Sequence, residues 1–136
     1  MTFTQKLEQG CFLACLHSYL SDAGRLRWGL REMHDMAIQT GDCRQDGVVR
    51  FGAESKIATL FGLKIDPIPY HWPVDQKYYD GSLLIDTHIR EPFHCWRFIG
   101  HKGSDEIVLM DPEFGGCGFL QKWLLEFLQG SYFRLS

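Results

Sequence analysis

The sequence predicts an α+β domain, with N-terminal helices packed on an antiparallel β-sheet. Three observations lead there. Helix-period apolar patterns fill roughly the first 60 residues, short alternating patterns begin after Leu63, and the two kinds do not interleave as a βαβ fold requires. A chain of 136 residues fits one domain, 1–136, and leaves no room for a second substantial core.

The first helix is expected over residues 11–22, CFLACLHSYLSD, where Phe12, Cys15, Leu16 and Tyr19 recur at helical spacing and Ala23-Gly24 supplies a stop. A second runs from about Leu26 to Ile38, with Leu26, Leu30, Met33 and Ala37 on one face and Gly41 closing it. The polar stretch Thr40 to Gly47 reads as a loop. Ala53 to Phe61 then forms a short third helix ending at Gly62.

Lys64 to Pro69 alternates and is bounded by prolines, as an edge strand does. A loop rich in aromatics follows, Tyr70 to Gly81. Ser82 to Thr87, Phe93 to Gly100 and Glu106 to Met110 read as strands, the last two paired through a turn at Gly103. Phe119 to Leu128 reads as an amphipathic helix and Tyr132 to Leu135 as a terminal strand.

Composition narrows the function classes. A hydrophobic fraction of 45% and a charged fraction of 23% are those of a folded globular chain. With a net charge of -3 and scattered basic residues, nucleic acid is not an expected partner. The apolar run from Cys11 to Leu20 is short, is interrupted by His17 and Ser18, and lacks the basic start of a signal peptide. No run approaches the roughly 20 apolar residues that span a bilayer. Five cysteines, an odd number without a regular framework, fit a reducing compartment, so a cytoplasmic location is expected, with export by another route left open.

The chemistry sits in four residues. Nucleophilic thiol catalysis needs a thiolate, a base, a group that orients the base, and donors for the oxyanion. Cys11 follows Gly10 at a predicted helix start, where the macrodipole and unpaired N–H groups favour a thiolate. His94 begins the strand HCWRFIG and Asp111 ends EIVLMDP, so a hairpin brings both to one end of the sheet and lets Asp111 hold the imidazole tautomer. Gln5, six positions before Cys11, is the candidate second oxyanion donor; Gln9 competes but stands only two residues away.

In this order Gln5, Cys11, His94 and Asp111 resemble the papain-like cysteine peptidases. More narrowly, QKLEQGCFLACLHSYLSDAG resembles the Q-x4-D-C-G-x-A-C-L opening of bacteriocin-processing, double-glycine leader peptidases. HCWRFIGHKGSDEIVLMDPEFGG resembles their H-x-V-V…G…V-x-I-x-D-P-x-x-G segment, and AESKIATLFGL their helix ending in A-x-x-x-G-L. Gly10 and Phe12 stand where that family usually has Asp and Gly, and the larger Phe12 is expected to alter the floor of the cleft. The resemblance implies a papain-like fold and a cysteine hydrolase acting on a protein or peptide. Protein glutamine deamidases and acyltransferases share the fold and the thioester logic, and a catalytically degenerate binding module is the non-enzyme alternative.

Other readings of the same residues are blander. Cys15, one turn after Cys11, is expected to be a small buried hydrophobe, and Asp111 could merely open the turn before Glu113-Phe114-Gly115-Gly116. Cys11, Cys15, His17, His94 and Cys95 form a ligand-rich set, yet they include no C-x-x-C or H-x3-H pair, and His17 leaves the helix in another direction from the two cysteines. No metal and no cofactor is therefore expected. Tyr70, His71, Trp72, Tyr78 and Tyr79 are either a substrate wall or packing beneath a long loop.

Overall fold

The structure is a computed structural model that describes residues 11–50, 52–68, 80–87, 94–102, 106–111, 116–121 and 130–136; for His94 and Asp111 it describes the backbone. Three helices come first: α1 (Cys11–Asp22), α2 (Leu30–Gln39) and α3 (Glu54–Leu60). Six strands follow: β1 (Ile65–Ile68), β2 (Leu83–Thr87), β3 (His94–Lys102), β4 (Glu106–Asp111), β5 (Gly116–Gln121) and β6 (Gly130–Leu135). They form one sheet in the order β1-β6-β2-β3-β4-β5, antiparallel throughout.

α1 is helical from the first described residue, Cys11, and ends at Asp22, where its periodicity predicts. It is also more deeply enclosed than an amphipathic helix, since every residue from Cys11 to Ser18 is buried. α2 starts later than expected. Leu26, placed by periodicity on the buried face, is 37% exposed, and Gly29 is extended at the helix start, with φ -72° and ψ 161°. Trp28 leaves the helical path to set its ring edge-on against Phe61, with 5.4 Å between centroids. The α3 terminus behaves as predicted: Gly62 adopts φ +76°, and the Leu63 N–H returns to the Ala58 carbonyl.

β1 lies at the sheet edge, where Pro67 is tolerated opposite Phe133. The β3–β4 pairing is also as predicted, with Arg97 opposite Met110 and Lys102 opposite Glu106. The expected helix from Phe119 is overturned at its start. Residues 116–121 are a strand, pairing Leu120 with Ile107 and Gly118 with Leu109. Without that strand the outer edge of β4 would leave its N–H and C=O groups unpaired, and Gly116 and Gly118 disfavour a helix. The remainder of that expected helix, residues 122–129, lies outside the described residues.

The sheet is apolar on both faces. Leu84, Cys95, Met110 and Leu135 pack with the helices, while Leu83, Ile85, Phe98, Ile107, Leu109 and Tyr132 form a second cluster. Alternation along β2, with Leu83 and Ile85 on one side and Leu84 on the other, follows the two-residue period of a strand.

Arg97 carries a charge into this interior. Arg97 of β3, 3% exposed, donates from Nη1 to Ser18 Oγ at 2.6 Å and to Asp22 Oδ2 at 2.7 Å, and from Nε to the Gly81 carbonyl at 2.7 Å. Its guanidinium also lies 5.7 Å from the Tyr19 ring centroid. A turn before β2 prepares the third acceptor: Asp80 Oδ1 takes hydrogen bonds from the Ser82 N–H and hydroxyl. Gly81 between them has φ +97°, and a Cβ there would stand 2.7 Å from Arg97 Nη2. Backbone geometry and the approach of Arg97 both demand glycine.

Removing Arg97 takes a donor from the buried Ser18 hydroxyl and the Gly81 carbonyl and a counter-charge from Asp22 at the exposed end of α1, so Arg97→Ala should cost roughly 1–3 kcal/mol in denaturant unfolding. A loss under 1 kcal/mol would contradict that account. Stability should also carry a pH signature. Burial pushes the His17 imidazole below its ordinary 6.5. As pH falls below that value the unfolded chain takes up a proton that the folded state resists, and stability drops. For Asp22, burial alone would raise the carboxyl, but hydrogen bonds and attraction from charged donors, Arg97 among them, hold it below 3.8. Its contribution is complete above 3.8 and is lost as pH falls through the lower folded value. Unfolding midpoints of His17→Gln should therefore fall less than wild type between about pH 7.5 and 5.5, and those of Asp22→Asn less between about pH 4.5 and 2.5. Parallel pH profiles for wild type and both variants would refute these assignments.

Candidate active site

Cys11 is the first residue of α1. Its side chain is buried, 6% exposed. The Cys95 N–H donates to Cys11 Sγ at 3.3 Å. A donor of this kind stabilises the thiolate over the thiol, because the charged form accepts the stronger bond.

That contact also locates His94. Cys95 directly follows it in β3, so the backbone carrying His94 passes one residue from the candidate nucleophile. His94 pairs with Thr87 of β2. Asp111 ends β4 one residue beyond the Arg97–Met110 pair, so its backbone and that of His94 lie at the same end of the β3–β4 ladder. The structure thus brings the Cys11 sulfur to the backbone beside His94 and places the Asp111 backbone at that end of the sheet. Gln5 lies outside the described residues, as do Gln9, Gly10 and the five aromatic residues between Tyr70 and Tyr79.

Cys15 proves to be more than filler. Its thiol donates to the Cys95 carbonyl at 3.5 Å, so two thiols from consecutive turns of α1 engage both polar groups of one β3 residue. Sequence spacing places Cys11 and Cys15 on one helix face; it could not show that their shared partner was the residue after His94. Phe12 turns inward, 4% exposed, into the core that contains Leu16 and Met33.

Cys43 provides an internal contrast. It is as buried as Cys11, each being 6% exposed, yet its thiol faces an acceptor, the Arg44 carbonyl at 3.5 Å. Burial and the nearby Asp46 carboxylate push it up to about 11. Among the described residues, no group of three or more His, Cys, Asp or Glu side chains is arranged to hold a metal ion. No helix among them is long and apolar enough to cross a membrane. A cavity of about 430 Å³ lined by Leu20, Arg25, Trp28 and Phe61 lies at the other end of α1 and does not include Cys11.

No protein-family model and no curated protein sequence matches the chain. Solved structures do. The peptidase domain of Streptococcus ComA, a bi-functional ABC transporter involved in a quorum-sensing pathway, superposes with a TM-score of 0.74 at 13% identity, over 99% of this chain and 96% of that one. The N-terminal peptidase C39-like domain of the toxin secretion ATP-binding protein from Vibrio parahaemolyticus superposes with a TM-score of 0.67 at 14% identity, over 96% and 98%. The chain therefore has the fold of the C39-like peptidase domains, a papain-like α+β fold.

The two cysteines should respond oppositely to a thiol reagent. At neutral pH iodoacetamide should label the Cys11 peptide at least tenfold faster than the Cys43 peptide, since reactivity follows the thiolate. Equal rates by peptide mass spectrometry would remove the basis for treating Cys11 as special.

Proposed function

We propose that the protein is a cysteine hydrolase that cleaves amide bonds in a protein or peptide, with Cys11 as nucleophile, His94 as base and Asp111 as the group orienting it. The observation that carries this reading is the Cys95 N–H donated to the Cys11 sulfur at the start of α1. It joins the Cys11 sulfur to the strand that His94 begins. The likeness in fold to two peptidase domains over nearly the whole chain supports the same reading.

The reaction follows from these roles. His94 takes the Cys11 proton, or the pair stands as thiolate and imidazolium, and the sulfur attacks the amide carbon. The Cys11 N–H and the Gln5 carboxamide receive the negative charge that develops on the carbonyl oxygen. As the C–N bond breaks, His94 gives its proton to the leaving amine, leaving an acyl thioester on Cys11. Water, activated by the now neutral imidazole, adds to that thioester; the C–S bond breaks, a carboxylic acid leaves, and the thiol is restored. Asp111 holds the imidazole in the tautomer that both proton transfers need.

Mass spectrometry of a peptide mixture incubated with the protein tests the reaction. New termini should appear with wild type and vanish with Cys11→Ala or His94→Ala, and Gln5→Ala should slow their appearance roughly 10²–10³-fold. A Cys11-dependent gain of about one dalton on glutamine, without chain breakage, would replace peptidase by deamidase on the same thioester chemistry. Neither change, together with full cellular effect in the Cys11→Ala variant, would leave a binding module as the surviving reading.

A further inference from the structure

Two thiols and one peptide residue make a contact set that the triad does not require. Cys11 Sγ accepts from the Cys95 N–H at 3.3 Å, and the Cys15 thiol donates to the Cys95 carbonyl at 3.5 Å. All three cysteines are buried, Cys15 and Cys95 completely. In an extended residue the N–H and C=O point to the same side of the strand. A helix lying along that side therefore presents residues one turn apart to the two groups, as positions 11 and 15 do.

From this geometry we infer that the Cys95 backbone N–H is a thiolate-stabilising donor for the nucleophile and that Cys15 is the positioning residue that aims it. This rests on the reading of Cys11 as nucleophile and extends it. An N–H donor is useful only if its direction is fixed. The carbonyl of the same residue is the natural handle: it lies across one Cα from the N–H, in the next peptide plane, so holding it against α1 limits ψ at Cys95 and keeps that residue seated beside Cys11. A hydrocarbon side chain at position 15 would fill the volume but remove the contact that links this carbonyl to α1. The need for a small side chain carrying a donor thus explains a polarisable thiol where periodicity alone asks for any apolar residue.

The same arrangement predicts a separation between packing and electrostatics. Cys15→Ser keeps a donor in nearly the same volume, whereas Cys15→Ala removes it. The experiment is the pH dependence of alkylation of the Cys11 peptide by iodoacetamide, read by mass spectrometry on the full chain, with thermal midpoints measured alongside. Wild type should give a midpoint well below that of a free thiol. Cys15→Ala should raise that midpoint by roughly one pH unit, about a tenfold loss of thiolate at a pH below it. Cys15→Ser should return it to within a few tenths of a unit, whatever either substitution does to the thermal midpoint. A wild-type midpoint near the 8.5 of a free thiol would overturn the cysteine-hydrolase reading itself, and this inference with it. A low wild-type midpoint unchanged in Cys15→Ala would overturn the positioning role alone. So would equal upward shifts in the alanine and serine variants, which would trace the effect to packing.

Discussion

The seam between α1 and β3 is the constraint on which the candidate site depends. α1 supplies Cys11, Cys15, Ser18 and Asp22, spaced 4, 3 and 4 residues apart, which is one stripe of a helix. β3 answers with two residues. Cys95 meets the thiols at one end, and Arg97 meets Ser18 and Asp22 at the other. A 12-residue helix is about 18 Å long, so the seam is fastened near both ends, and sliding or rolling α1 would break contacts at one end or the other. Register between Cys11 and the start of β3 is therefore a property of the whole seam.

The chemistry of the two fastenings differs. At the Arg97 end the bonds are charge-assisted and the guanidinium is planar, which fixes direction as well as distance. An apolar side chain of similar volume could match the stability of such a buried network, but it would not specify one register. Its third acceptor, the Gly81 carbonyl, brings the turn before β2 into the same arrangement, and β2 pairs with β3 from Thr87–His94 to Leu83–Phe98. One side chain thus ties the helix to the strand that His94 begins and to that strand's neighbour. At the Cys11 end the bonds involve sulfur and are weaker and more adaptable.

Much of this was legible in the sequence, and what was not has a physical cause. Periodicity located α1 and the end of α3, and β-branched and aromatic runs located β2, β3 and β4, because local propensity and final environment agree there. Periodicity chose the wrong emphasis on α1. Phe12, Cys15, Leu16 and Tyr19 were read as its apolar face; of these Cys15 belongs to the stripe that registers the helix against the sheet, which also includes a serine and an aspartate. Their partner was visible as an oddity, a lone arginine inside the apolar strand HCWRFIG. A buried arginine demands acceptors, and asking where they lie would have pointed to α1. The strand at residues 116–121 was missed for a different reason. Its pairing depends on the open edge of β4, a tertiary fact that no local window contains.

Cys11 and Cys43 show that thiols of equal exposure can lie in opposite electrostatic surroundings. Both are 6% exposed, so the cost of taking a charge out of water is similar for each. The polarity of the surroundings decides between them. Cys43 faces a carbonyl and lies near the Asp46 carboxylate, so its sulfur meets negative ends of dipoles and a negative charge, and the neutral thiol is favoured. Cys11 faces the Cys95 N–H, so its sulfur meets the positive end of a dipole. Burial strengthens both fields equally, since each acts through a low dielectric. For Cys43 the outcome is a thiol pushed up to about 11; for Cys11 burial strengthens the contact with the Cys95 N–H. The same enclosure that builds a core can therefore prepare a nucleophile, provided that the backbone around the sulfur presents its donors and keeps its acceptors engaged elsewhere, as the Cys95 carbonyl is by Cys15.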